Sequence, residues 1–195
     1  MSGMSNKTDG APRVVALTSA KQMRALAHPL RMQVLGELRV GGPRTVGALA
    51  ELFGEAPGTL SYHLGKLAEF GFVEEAPELA ADRRERWWRS AHEATDISTP
   101  AADAPEAERN ASAAVRHQVI DLYAALLHHA VDVAQPREWE DAATSGDTIA
   151  HLTAAQLAEA SAELQAVAAK WRDRGDRAAA GAAPVQIIVH AFRRP

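Results

Sequence analysis

Thr59-Leu60-Ser61-Tyr62-His63-Leu64-Gly65-Lys66-Leu67-Ala68-Glu69-Phe70-Gly71-Phe72-Val73-Glu74-Glu75 is the stretch on which the fold turns. Leu60, Leu64 and Leu67 recur at i, i+4 and i+7, the apolar side of a helix running from about Gly58 to Phe70. Gly71 closes it, because glycine adopts the left-handed conformation that ends many helices. Such a helix presents Thr59, Tyr62, His63 and Lys66 away from its apolar side, with Ser61 at the margin. Those hydrogen-bonding side chains have lengths suited to base edges and phosphates in a major groove. The free N–H groups and positive dipole end at the helix start favour a phosphate as well.

Upstream lie three shorter helices. Thr18 or Ser19 caps the first, which runs to Leu26 or Ala27 and stops at His28-Pro29, because a residue before proline resists the α region. Pro29 opens the second, striped by Leu30, Val34, Leu35 and Leu38 and ended by Gly41-Gly42-Pro43. Thr45 caps the third, with Val46, Leu49, Ala50 and Phe53 on one side and Gly54 at its end. Downstream, Phe72 to Glu75 and Arg86-Trp87-Trp88-Arg89-Ser90 flank a charged tip and predict a hairpin, with Trp87 and Trp88 on opposite faces. The expected class is mainly α with a small β-hairpin wing. A disordered tail over 1–13 precedes a winged helix-turn-helix over 14–92.

Composition narrows the chemistry. The chain has 195 residues and no cysteine, which removes disulfides, thiolate metal sites and a cysteine nucleophile. Of its 47% apolar residues, 42 are alanine, so the cores must draw on Leu, Val, Ile and a few aromatics. No apolar run is long enough to span a bilayer, and Met1 to Gly10 lacks the apolar core of a signal peptide. No P-loop, Gly-x-Gly-x-x-Gly, Gly-x-Ser-x-Gly or nucleophile–base set appears, so the expectation is a cytoplasmic protein that is not an enzyme. Residues 1–92 carry 12 Lys/Arg against 10 Asp/Glu, and 93–195 carry 9 against 15. The net −4 argues against indiscriminate polyanion binding but allows a local basic patch. Arg83, Arg84, Arg86 and Arg89 cluster on the hairpin, and the first three join the helix residues as expected phosphate contacts.

Three motifs at this spacing, Ala27-His28-Pro29-Leu30-Arg31, Ser61-Tyr62-His63-Leu64-Gly65-Lys66-Leu67 and Gly71-Phe72-Val73-Glu74, with Val46-Gly47-Ala48-Leu49-Ala50 between them, resemble the ArsR-type family of bacterial transcription regulators. The resemblance covers residues 17–91, rather under half the chain. It implies a DNA-binding regulator, most often a repressor, that meets a palindromic operator as a homodimer. Two recognition helices would then enter successive major grooves ~34 Å apart. It further implies an equilibrium between DNA-competent and incompetent spacings, biased by an unidentified signal. Two other readings remain at this stage: a DNA-binding protein that answers to no ligand, and a winged-helix protein-interaction module that leaves DNA alone.

Beyond a linker over 93–105, the region 106–195 reads as helical, a dimerisation and possible effector region ending in a short strand. A helix from about Glu106 to Ala134 carries Val115, Val119, Leu122, Leu126, Ala130 and Val133 at spacings of 4, 3, 4, 4 and 3, a narrow seam suited to a partner helix. Val115, Val119, Leu122, Leu126 and Val133 are the expected dimer contacts. On the same helix, His117 and His128 lie eleven apart and return to one side after three turns. They match the histidine pair of a zinc-sensing relative type, but Val115 and Val131 stand where that type carries carboxylates. Tetrahedral zinc needs four close ligands, so no metal cofactor is expected. Residues 137–151 read as irregular, Thr153 caps a helix to about Arg174, and 185–192 is the β-prone run. Trp139 and Trp171 are the candidates for walls of an organic-ligand site.

Overall fold

The computed structural model describes residues 13–17, 19–82, 85–97, 99–101 and 103–194. Two units are distinguished, Met1–His129 and Ala130–Pro195, and each is taken by itself.

The first unit runs β1 (Val14–Ala16), α1 (Ala20–Leu26), α2 (Pro29–Val40), β2 (Arg44–Thr45), α3 (Val46–Phe53), α4 (Pro57–Glu69), β3 (Val73–Glu75), a 3-10 turn (Pro77–Leu79), β4 (Trp87–Ser90), β5 (Ala94–Asp96) and most of α5 (Glu106–Asp132). Local chemistry sets the boundaries. Ser19 caps α1 by accepting from the Gln22 N–H at 3.2 Å, and Thr45 caps α3 by accepting from the Ala48 N–H at 3.1 Å. Gly71, at φ 73°, ends α4 in a Schellman motif. Its N–H reaches the Ala68 carbonyl and that of Phe72 reaches Leu67, both at 2.9 Å. The apolar contact that accompanies this motif is present, since Phe72 and Leu67 are both fully buried.

One core joins these elements. Leu60, Leu64 and Leu67 of α4 pack with Val34 of α2, Leu49 of α3, Phe72 and Val115 of α5, all inaccessible to solvent. The hairpin of β3 and β4 forms in register Val73↔Ser90, Glu74↔Arg89 and Glu75↔Trp88. Its tryptophans divide as their alternation requires: Trp88 is buried and Trp87 half-buried. A third strand was not legible in the sequence, for β2 holds only two residues, Arg44 and Thr45, paired to Trp88 and Trp87.

Residues 94–96, expected within a linker, form β5 and pair in parallel with β1, Val14 opposite Ala94. Arg39 explains the docking. Its guanidinium donates to the His92 carbonyl at 3.0 Å and to Thr95 Oγ1 at 2.8 Å, and burial pushes its pKa down to about 10. Arg13 is the only member of the expected disordered tail among the described residues, and its carbonyl accepts from the Glu93 N–H at 2.8 Å.

The second unit contains the end of α5, α6 (Arg137–Ala142) and α7 (Ala154–Arg174). Residues 137–142 are helical rather than irregular, closed by an Arg137–Asp141 ion pair of 2.7 Å. Thr153 and Gln156 form a reciprocal capping box at the start of α7. The expected terminal strand is absent: 185–192 has no strand assignment, and Val185, Ile187 and Phe192 are 66%, 48% and 71% exposed. A β-prone run becomes a strand only when a neighbour satisfies its backbone, and among the described residues none pairs with this one. No helix among the described residues is long and apolar enough to cross a membrane.

Candidate nucleic-acid interface

Helix α4 divides its polar residues by exposure. Ser61 is exposed rather than at the margin, Tyr62 is 59% exposed, and Thr59 and Lys66 are partly covered. Lys66 Nζ holds Glu69 at 2.8 Å across one turn, an exposed pair of small energetic weight. On the wing, Arg86 lies beside Glu75 and over the Trp88 ring at 5.2 Å. Ser61 and Arg86 meet across a shallow cleft whose other walls are Thr45, Val46, Gly47 and Glu85. The structure therefore brings one helix residue, one wing residue and the start of α3 to a single groove. Arg83 and Arg84 lie outside the described residues.

Glu85 is the dissonant member, a carboxylate in a groove with an arginine. It is held by the Ala81 N–H at 3.3 Å and the Trp87 indole N–H at 3.2 Å, which brace the wing tip. Sequence reading missed Val46 and Gly47 as groove residues. Their signal was the helix start that Thr45 marks, because the first N–H groups of a helix have no partner within it and Thr45 takes only that of Ala48.

His63 corrects the sequence reading. It is 8% exposed, with its ring 4.5 Å from that of His28 at the start of α2. An apolar helix stripe is wide enough to take in i+3 along with i, i+4 and i+7, and His63 follows Leu60 by three. Burial holds the His63 pKa below the usual imidazole value, and His28 and Arg31 add to the effect while Glu55 opposes it. Burial does the same to His28, followed by Arg31. Among the described residues, Nδ1 of both rings is buried without a hydrogen-bond partner. His63 therefore sets the seat of α4 on α2, and the outward face consists of Thr59, Ser61, Tyr62 and Lys66.

The expected dimer seam also divides. Val115 is completely buried in its own chain's core, because the first turns of α5 pack back onto the winged helix through Ala111, Ser112 and Val115. Val119 and Leu122 lean partly on that core and Leu126 is 41% exposed, whereas Val133, 42% exposed, falls just past the helix, which ends at Asp132 rather than near Ala134. His117 and His128 are exposed on α5. Trp139 is half-buried in α6, and Trp171 is half-exposed under the Arg174 guanidinium at 4.9 Å. No ring contact joins the two tryptophans among the described residues.

Comparison with known proteins points to the same segment. A family described as a helix-turn-helix domain matches residues 26–76. Among solved structures, the chain is similar to a homodimeric winged helix-turn-helix DNA-binding domain, a fragment of a possible ArsR-family transcriptional regulator from Mycobacterium bovis. The two are 32% identical, with a TM-score of 0.32, over 37% of this chain and 62% of that one, less than two thirds of its length. Curated proteins give no match. Residues 26–76 thus match a helix-turn-helix domain, and the hairpin of β3 and β4 that follows gives the fold its wing.

Proposed function

We propose that the protein is a DNA-binding transcriptional regulator of the ArsR type, acting on double-stranded DNA as a homodimer. The observation that carries this reading is the groove in which Ser61 of α4, Arg86 of the wing and the capped start of α3 converge. Helix α4 reads base edges through Thr59, Ser61 and Tyr62, while Lys66, Arg86 and the tip arginines Arg83 and Arg84 hold phosphates. The exposed part of the α5 seam, from Val119 and Leu122 to Leu126, joins two copies together with Val133 just past the helix end, so that two α4 helices read the halves of a palindrome. Repression follows where that site overlaps a promoter, and a small organic effector releases it by favouring a different spacing of the two helices. No metal cofactor has a part in this reading.

The test is fluorescence anisotropy with duplex DNA from directly upstream of the protein's own coding sequence, titrated at several salt concentrations. Selective binding with a steep salt slope is the expected result. Failure to bind any duplex, even at low salt, overturns the reading.

A further inference from the structure

Helix α7 leaves much of its apolar side open, with Leu157 and Ala160 only partly covered. Its 21 residues begin in a capping box, yet none of them is buried. A helix in water relies on tertiary packing of one face for most of its stability, so a well-specified but uncovered face is unfinished. Its apolar residues follow a heptad. Leu157, Leu164 and Trp171 recur every seven residues, with Ala160 and Val167 in the intervening core positions. Leu164, Val167 and Trp171 are 45%, 55% and 53% exposed. Other apolar residues of this unit are open as well: Ile149, Leu152, Ile187 and Phe192 are 47% to 71% exposed, while Trp139, Ile188 and Val189 are partly covered.

The seam complements itself when reversed. In an antiparallel pair the first core position of one helix faces the second core position of the other. That places Leu164 of one copy against Val167 of its partner, and the large Trp171 against the small Ala160. The flanking positions preceding Leu164 and Trp171 are Glu163 and Lys170, of opposite charge. In the same antiparallel alignment each Glu163 lies beside the partner's Lys170, twice per pair. Among the described residues neither side chain forms an ion pair within the chain. A parallel pair would instead set Trp171 on Trp171 and leave Glu163 facing Ala168, with no bridge to Lys170.

We propose that α7 is a second self-association surface, pairing antiparallel with α7 of another copy through the Leu157–Trp171 heptads and two Glu163–Lys170 bridges. This surface is separate from α5 and does not depend on the DNA-binding reading.

Because the chain lacks cysteine, site-directed cross-linking of the full chain is unambiguous. One version carries L157C and another R174C, and they are mixed, allowed to exchange subunits and oxidised. The antiparallel pair predicts a disulfide-linked dimer at least tenfold above background in the mixture only, since identical positions would stand about 25 Å apart. Adding E163K to both versions should cut that yield several-fold, and K170E in the same chains should restore it. Helicity measured by circular dichroism verifies that each variant is folded. Cross-linking of either version alone identifies a parallel pair and overturns the proposal. Absence of cross-links from chains that sediment as dimers also overturns it, and leaves α5 as the interface.

Discussion

Tyr62 and His63 are neighbours in sequence with opposite fates: one side chain stands 59% exposed and the other is 8% exposed against His28. The difference separates two experiments. Lys66→Ala and Arg86→Ala should each weaken duplex binding by about 1 kcal/mol or somewhat less, and lower the salt slope by about one counterion. Anisotropy titrations between low and moderate salt measure both effects. His63 acts instead through stability and its pH dependence. Its folded pKa and that of His28 lie below the unfolded value of 6.5, so the neutral pair's contribution is complete above that pH. It is lost as pH falls from 6.5 through the lowered folded values, where protonation would set cationic imidazoles beside Arg31. The urea midpoint of the wild type should therefore drop between pH 7.5 and pH 5, and His63→Leu should flatten that drop. A His63→Leu profile identical to wild type would remove His63 from the account. The sequence assigned His63 outward because Leu60, Leu64 and Leu67 already sufficed for a helix face. How wide the buried stripe is depends on what faces it, here the start of α2.

At the scale of the elements, caps and breakers were legible because they act within a few residues of themselves. Ser19, Thr45 and Thr153 cap the helices they were read to cap, and Gly54 and Gly71 end theirs in the left-handed region. Two glycines of one helix region should respond oppositely to alanine. Gly71 has open space for a Cβ but a φ of 73°, so Gly71→Ala pays only backbone strain and should lose about 1 to 2 kcal/mol. Gly65 lies inside α4 with equally open space, and Gly65→Ala should gain about 0.5 to 1 kcal/mol. Thermal unfolding of the two variants measures the contrast, and a loss of stability in both would contradict it. Strands were read less well than helices. β2 and β5 are two and three residues long, too short for an alternation to register, and each exists because a distant strand, β4 or β1, accepts its hydrogen bonds. The reverse error at 185–192 has the same cause, since a run with strand composition found no partner.

For the molecule as a whole, the unfinished surfaces are apolar. Leu126 and Leu127 on α5 are 41% and 54% exposed, and Val131 is 85% exposed. Burying one leucine contributes about 1.5 to 3 kcal/mol, so Leu126→Asp with Leu127→Asp should weaken self-association by about tenfold or more. Sedimentation velocity across a concentration series detects the shift, and duplex binding should fall with it, because one half-site alone holds a monomer. Unchanged sedimentation would place the dimer elsewhere. The seam was visible as a periodicity, but its division was not. Spacing alone gives Val115 and Leu126 the same standing, and only the packing of the early turns of α5 onto the winged helix takes Val115 out of reach. The helices and their ends follow from interactions within a few residues, and the hairpin from two runs that pair at separations of 13 to 17 residues across a single turn, which is why the residue order alone was sufficient for them. The burial of His63, the pairing of β1 with β5 around Arg39, and the meeting of Ser61 with Arg86 join residues far apart in the chain. Those depend on which surfaces come together, and a linear pattern records the surfaces without their partners.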